Sequence, residues 1–178
     1  MQETLIHPPR TIMEVFKMLP EGTLAEVIDN TLYMLPTPTG KHQRISRLLT
    51  TQLDLFVTKN KLGEIFYAPF DVFLDESANA IQPDILFIAK QNASILNDEG
   101  IVHGVPDLII EILSPGNKKH DLITKKNLYE KFGVKEYWIV DPDTKKSMGY
   151  TLKDKSYQLI AEETAKINSI LLEETFIF

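Results

Sequence analysis

The sequence predicts an α/β domain with a mixed β-sheet flanked by helices, and three features of its hydrophobic pattern carry that reading. From His42 to about Lys59, apolar residues recur at helical spacing, with Ile45, Leu49, Leu53 and Phe56 in one stripe. Three short apolar runs follow, around 64–74, 81–89 and 105–113, each rich in branched or aromatic residues and bounded by turn formers. A second helical stretch at 118–132 then leads into the buried run EYWIVDP, which Pro142 stops. The resulting core order is helix, three strands, helix, strand, which suits a sheet covered on both faces.

The remaining elements follow from local signals. Thr11 and Glu14 have the spacing of a capping box, so a short N-terminal helix is expected from about residue 12 to Leu19, ending at Pro20. LAEVI and TLYML flank Asp29-Asn30 and form a hairpin, in whose first strand Leu24, Glu26 and Ile28 share a face. An acid between two apolar neighbours is an anomaly there. PTPTG, residues 36–40, is a loop. The runs at 64–74 and 81–89 pair antiparallel through DESANA, SPGN breaks the third run, and Gly133 ends the second helix. Two weaker strands, near 148–152 and 157–161, and an irregular tail complete the chain.

At 178 residues the chain reads as one domain, 1–178, large enough for a core without staples. It has no cysteine, so disulfides and cysteine-based zinc sites are excluded. No apolar stretch approaches the roughly 18 residues of a membrane span, and MQETLIHPPR has no signal-peptide core. A cytoplasmic location is the expectation. The net charge of −6 argues against binding nucleic acid by global electrostatics. Residues 117–146 nevertheless carry +3 against −9 for the rest, either a basic surface or only a solvated helix face.

Lys125 falls where the second helix should carry a hydrophobic side chain. At 100° per residue it projects from the centre of a face formed by Leu122, Leu128, Tyr129 and Phe132, while Lys126 lies towards the polar side. A core-facing lysine needs a partner for its charge. Glu111 is a candidate, since it interrupts the otherwise apolar run from Leu108 to Leu113. An unpaired carboxylate in a strand buried on both faces would cost several kcal/mol, which a lysine or a metal ion would largely remove. Asp84 heads the run QPDILFIA, directly after a proline, where an acid either reaches a cleft at the sheet edge or caps a turn.

Asp84, Glu111 and Lys125 together suit phosphodiester hydrolysis. Mg²⁺ prefers oxygen ligands and keeps several waters, so two carboxylates and a substrate phosphate make a sufficient cage. A lysine beside it would orient water or stabilise charge on phosphorus. A plain Glu111–Lys125 ion pair satisfies the same pattern. Asp121, one turn before Lys125, either pairs with it or, the simpler reading, caps the helix, and Tyr129 and Trp138 read as core. His42, at the start of the long helix, reads as a cap or packed ring. No P-loop, GxGxxG, HExxH or GxSxG is present.

Pro83-Asp84, the run Glu111 to Pro115, Asp121-x3-Lys125-x3-Tyr129 and the run Gly133 to Pro142 resemble the putative restriction endonuclease family, a PD-(D/E)XK-type group. The resemblance extends upstream to Glu26, in AEVIDN, and to His42, so it covers nearly the whole chain. It implies a restriction-endonuclease-like fold and a Mg²⁺- (or Mn²⁺-) dependent endonuclease acting on DNA, often as a homodimer. It also implies Asp84 and Glu111 as metal ligands and Lys125 as the active-site lysine, with Glu26 and His42 in the same site. Two positions depart from the usual pattern. Leu113 stands where the superfamily's strand lysine would be, which this family supplies instead from the following helix, and Asn30 replaces the hairpin glycine. The competing class is a non-catalytic binding or structural protein on the same scaffold.

Overall fold

The computed structural model describes residues 8–115 and 120–178. MQETLIH, the Gly116-Asn117 half of the SPGN break, Lys118 and Lys119 lie outside the described residues, as does the side chain of Asp121.

Helix α1 (Ile12–Lys17) is capped by Thr11, whose hydroxyl accepts from Glu14 N at 3.1 Å. The Glu14 carboxylate accepts from Arg10 N, just before the cap. Strands β1 (Ala25–Ile28) and β2 (Thr31–Met34) form the expected hairpin. Its turn residues Asp29 and Asn30 have φ of 44° and 61°, the left-handed pair a tight two-residue turn demands. Asparagine therefore serves at the position of the expected glycine. Helix α2 (Gly40–Asn60) buries His42, Ile45, Leu49, Leu53 and Val57, so Val57 replaces the half-buried Phe56 in the inward stripe.

The first two apolar runs are each two strands. The run at 64–74 divides into β3 (Gly63–Tyr67) and β4 (Val72–Asp75), and the next into β5 (Asn79–Ile81) and β6 (Ile85–Ala89). Pro69 and Pro83 sit at the two breaks and have no N–H for a ladder, so both strands end there and the chain changes sheet. The expected antiparallel pairing survives in both halves, β4 with β5 and β3 with β6.

Downstream come β7 (Val102–His103), β8 (Leu108–Ile112), a π-helical segment (His120–Lys125) running into α3 (Lys126–Phe132), and β9 (Glu136–Val140). The two later strands are longer than predicted, β10 (Lys146–Lys153) and β11 (Ser156–Thr164). The tail is not irregular: β12 (Lys166–Ser169) and β13 (Glu174–Ile177) form a hairpin. Its Ile167 and Phe176 are buried against α2, Phe176 meeting Phe56 edge-on at 5.8 Å. Four-residue strands with one or two inward apolar residues each are too short to announce themselves by periodicity.

The strands form a five-stranded sheet, β2-β1-β5-β4-β7, and a six-stranded sheet, β11-β10-β9-β8-β6-β3. In the larger sheet β3, β6 and β8 are antiparallel neighbours, and the π-helical segment and α3 cross over to β9, parallel to β8. This is the predicted core order. Leu108, Ile110 and Ile112 of β8 face α2 and the tail hairpin, and Ile109 and Leu113 face α3 and the smaller sheet. Gly149 lies against the Trp138 ring, where a Cβ would come within 2.4 Å of it. Among the described residues no helix is long and apolar enough to cross a membrane.

Candidate active site

The site forms where the chain passes between the two sheets. At the two proline breaks Ala68 N donates to Asp84 O at 3.1 Å, holding the crossings together. Strands β6 and β8 pair with Ile85 opposite Ile110, so Asp84 lies one step beyond, level with Glu111. Directly opposed residues share a face, which brings the two carboxylates to one side of the sheet. Alternation along β8 fixes which side: Glu111 shares the face of Ile109 and Leu113, towards the helical crossover. Asp84 Oδ2 accepts from Ile112 N at 2.7 Å, and His42 Nε2 lies 3.0 Å from Oδ1. Both carboxylates border a small cleft of about 70 Å³, together with His42, Gln82 and Lys125.

Lys125 stands where the π-helical segment becomes α3. From there onwards the 100° reading holds, with Lys125, Leu128 and Tyr129 buried and Phe132 half-buried. Upstream the wider π turn changes the angle per residue, and Leu122 is only half-buried. Lys126 points elsewhere, its ammonium 4.4 Å from the centre of the Tyr150 ring. The Lys125 side chain is 3% exposed, and its Nζ lies 3.0 Å from Glu111 Oε1 and 2.8 Å from Glu26 Oε1.

Each acid beside Lys125 is held by further groups. Tyr129 OH donates to Glu111 Oε1 at 2.6 Å. Gln82 N donates to Glu26 Oε1 at 2.9 Å, while the Gln82 side-chain amide donates to Thr23 O and Asp71 Oδ1. His120 Nε2 approaches Glu26 Oε2 to 3.5 Å, too far for a good hydrogen bond, and its ring packs on Tyr33 with centroids 4.6 Å apart.

The electrostatics follow from this packing. Burial by itself would raise the Glu26 carboxyl, but the Lys125 ammonium, the nearby His120 and the Gln82 amide outweigh it and hold the group below the ordinary carboxylate range. Burial, then the charges of Glu111 and Glu26, push the Tyr129 phenol well above its usual value, so it remains a donor. Because the folded-state value of Glu26 is depressed, its contribution to stability is present at neutral pH and is lost as pH falls through and below the ordinary carboxylate value of 4.5. Urea midpoints of wild type and Glu26→Gln compared between pH 7 and pH 4 should therefore show the smaller drop in the variant. Equal drops would count against Glu26 being ionised in the fold.

All five residues singled out in the sequence, Asp84, Glu111, Lys125, Glu26 and His42, thus lie in one connected cluster. Three further contributors have no distinct signal in the sequence. The Tyr129 ring is core, as its position predicts, but its hydroxyl serves Glu111. Gln82 directly precedes Pro83-Asp84, yet an amide there carries no signal of its own. His120 carried no signal beyond its residue type. Among the described lysines of the +3 window, Lys125 is buried, and Lys131 and Lys135 pair with Asp29 and Asp107.

The donor set fits a hard divalent cation. Among the described residues no three His, Asp or Glu side chains gather as a ready-made metal cage. An ion of the Mg²⁺ type keeps several waters and needs only one or two protein carboxylates. Formally, counting carboxylates and ammonium groups alone, the site holds three carboxylates, Glu26, Asp84 and Glu111, and one ammonium, Lys125, which pairs with Glu26 and Glu111, a surplus of two negative charges. A divalent cation between Asp84 and Glu111 would offset that surplus.

Residues 13–176 match the family model Uma2, described as "Putative restriction endonuclease". Among solved structures, the chain is similar to one described as a putative nuclease belonging to DUF820 from Anabaena variabilis. The TM-score is 0.73 at 21% sequence identity, over 93% of this chain and 92% of that one, which shows a shared fold. No curated protein matches the chain in sequence.

Proposed function

The chain belongs to the Uma2 family of putative restriction endonucleases, and from that premise we propose that it is a Mg²⁺-dependent endonuclease hydrolysing phosphodiester bonds in DNA. The observation that carries the proposal is Lys125, an ammonium fixed between the buried carboxylates of Glu26 and Glu111 at the wall of a cleft that Asp84 also borders. We take 1–178 as a single catalytic domain.

Asp84 and Glu111 would hold the divalent ion. When bound, such an ion polarises a phosphoryl oxygen and acidifies water. The chain's own residues set the geometry around it. Ile112 N and His42 engage the two oxygens of Asp84 and fix the plane of its carboxylate. The Tyr129 hydroxyl orients Glu111 from below. Lys125, held from both sides, presents positive charge to the scissile phosphate, where negative charge gathers in the transition state. Leu113, two residues after Glu111, is buried in the core, so the helical crossover and not the strand supplies the lysine.

The second reading, a non-catalytic protein, draws on the same triad, because two acids and a lysine also satisfy one another as a purely structural cluster. A direct test separates the two. Purified protein incubated with supercoiled plasmid and Mg²⁺ or Mn²⁺ should produce nicked or linear DNA, and EDTA should stop the reaction. At about ten times its dissociation constant, Mn²⁺ should also stabilise the fold by about 1.4 kcal/mol, or about 3–6 °C in Tm. That rise should disappear in Glu111→Gln, which keeps an acceptor for Tyr129 and Lys125. No cleavage, with a melting rise of the same size in the variant, would leave the structural reading standing.

A further inference from the structure

A second concavity adjoins the cleft. It runs between the outward face of α2 and β3, the outermost strand of the six-stranded sheet, and encloses about 720 Å³. Gln43, Arg44, Arg47, Thr50, Ile65 and Tyr67 line it. The groove and the cleft meet at consecutive residues, since His42 and Ala68 line the cleft and Gln43 and Tyr67 line the groove.

Three properties of this groove point to one occupant. From Gly40 to Leu53 the helix carries Lys41, Arg44 and Arg47 and no acid, in a chain whose net charge is −6; the acid that also lines the groove, Asp54, stands two turns beyond Arg47, away from the cleft, so the end nearest the cleft is basic. Lys41 is paired with Asp143, but neither Arg44 nor Arg47 has an ion-pair or hydrogen-bond partner among the described residues, and both are exposed. At 100° per residue the two arginines lie on the side of α2 opposite the buried stripe, about 4.5 Å apart along the axis. Tyr67 stands at the end of β3 with 60% of its surface exposed, where a large ring has little structural reason to be. Unpartnered guanidinium groups beside an exposed aromatic ring, on a track ending at two carboxylates and a lysine, match the chemistry of a polynucleotide strand. Arginine engages phosphates bidentately, and a tyrosine face stacks on a base or packs on a sugar.

We infer that the α2–β3 groove is the track for the DNA strand flanking the scissile phosphate, with Arg44 and Arg47 on its phosphates and Tyr67 against the nucleotide nearest the cleft. The choice of DNA rests on the nuclease reading. The contacts themselves are tested by binding alone.

The test is fluorescence anisotropy with fluorescein-labelled DNA, duplex and single-stranded, at a series of KCl concentrations. The host is Asp84→Asn, so that cleavage does not consume the probe. Adding Arg44→Ala and Arg47→Ala together should weaken binding at least tenfold at fixed salt. It should also lower the slope of log K against log salt by about 2, one counterion equivalent per lost phosphate contact. Tyr67→Ala should weaken single-strand binding about tenfold and leave the salt slope unchanged. Lys59→Ala with Lys61→Ala, an equal charge change at the far end of α2, should do neither. Unchanged affinity and slope in the arginine variant, or an equal loss in the lysine control, would overturn the assignment of this groove. Should wild type bind DNA through the arginines yet fail to cut it with any divalent metal, the nuclease reading falls and the groove stands.

Discussion

Replacing Lys125 by alanine should destabilise the fold by about 3–5 kcal/mol as well as abolish cleavage, because it leaves Glu26 and Glu111 buried with no counter-charge. The two effects would be confounded in a simple activity assay. They separate in a double variant. Glu26→Gln with Lys125→Met removes one charge of each sign and fills the space of the lysine stem, so about half of the lost stability should return, Glu111 alone remaining buried without its counter-charge. Cleavage should not, since no ammonium faces the cleft. Urea unfolding at neutral pH reads the first quantity and plasmid nicking the second. If the double variant cuts DNA at the wild-type rate, Lys125 is a structural counter-ion and nothing more. If Lys125→Ala unfolds at the wild-type urea midpoint, the buried pairing described above is wrong.

Asp84→Asn should have the opposite profile, a loss of at least about a hundredfold in cleavage with little change in stability. Asp84 is only partly buried, its side chain 16% exposed, and asparagine keeps an oxygen to accept from Ile112 N at the same place. What it loses is the charge directed at the cleft. Single-turnover rates on a labelled duplex, paired with urea midpoints, measure both halves of the expectation. Wild-type cleavage in this variant would remove Asp84 from the site. A large loss of stability would instead make it a structural acid serving His42 and the end of β8. The contrast between Asp84 and Lys125 is therefore informative in itself, since both line the cleft but Asp84 is partly exposed there while Lys125 is buried in its wall between two acids.

Several parts of this arrangement were legible without coordinates. Glu111 is conspicuous because every neighbour in its strand is apolar, and Lys125 because it occupies a position the helical period reserves for a hydrophobic side chain. Both anomalies are local, and both carry a desolvation cost that asks for a partner. Asp29-Asn30 announces its turn, and the order of helices and strands around 42–140 predicts the sheet that is observed. The prolines that divide two apolar runs were visible too, but a broken run does not reveal that its halves join different sheets.

Other features depend on contacts that no local pattern encodes. Glu26 comes from the smaller sheet and meets Lys125 across 99 residues of chain, so its single anomalous position could not say which cation it would find. The Tyr129 hydroxyl and Gln82 are invisible for the same reason: a ring or an amide fits a core by composition, while its polar atom is committed only when a neighbour arrives. The tail hairpin takes its register from the α2 surface it covers. By itself the sequence determined which side chains are too costly to bury alone and on which faces they stand. Only the tertiary structure decided what those faces meet, because periodicity describes one element at a time, and the pairing of Lys125 with two acids requires three elements to come together.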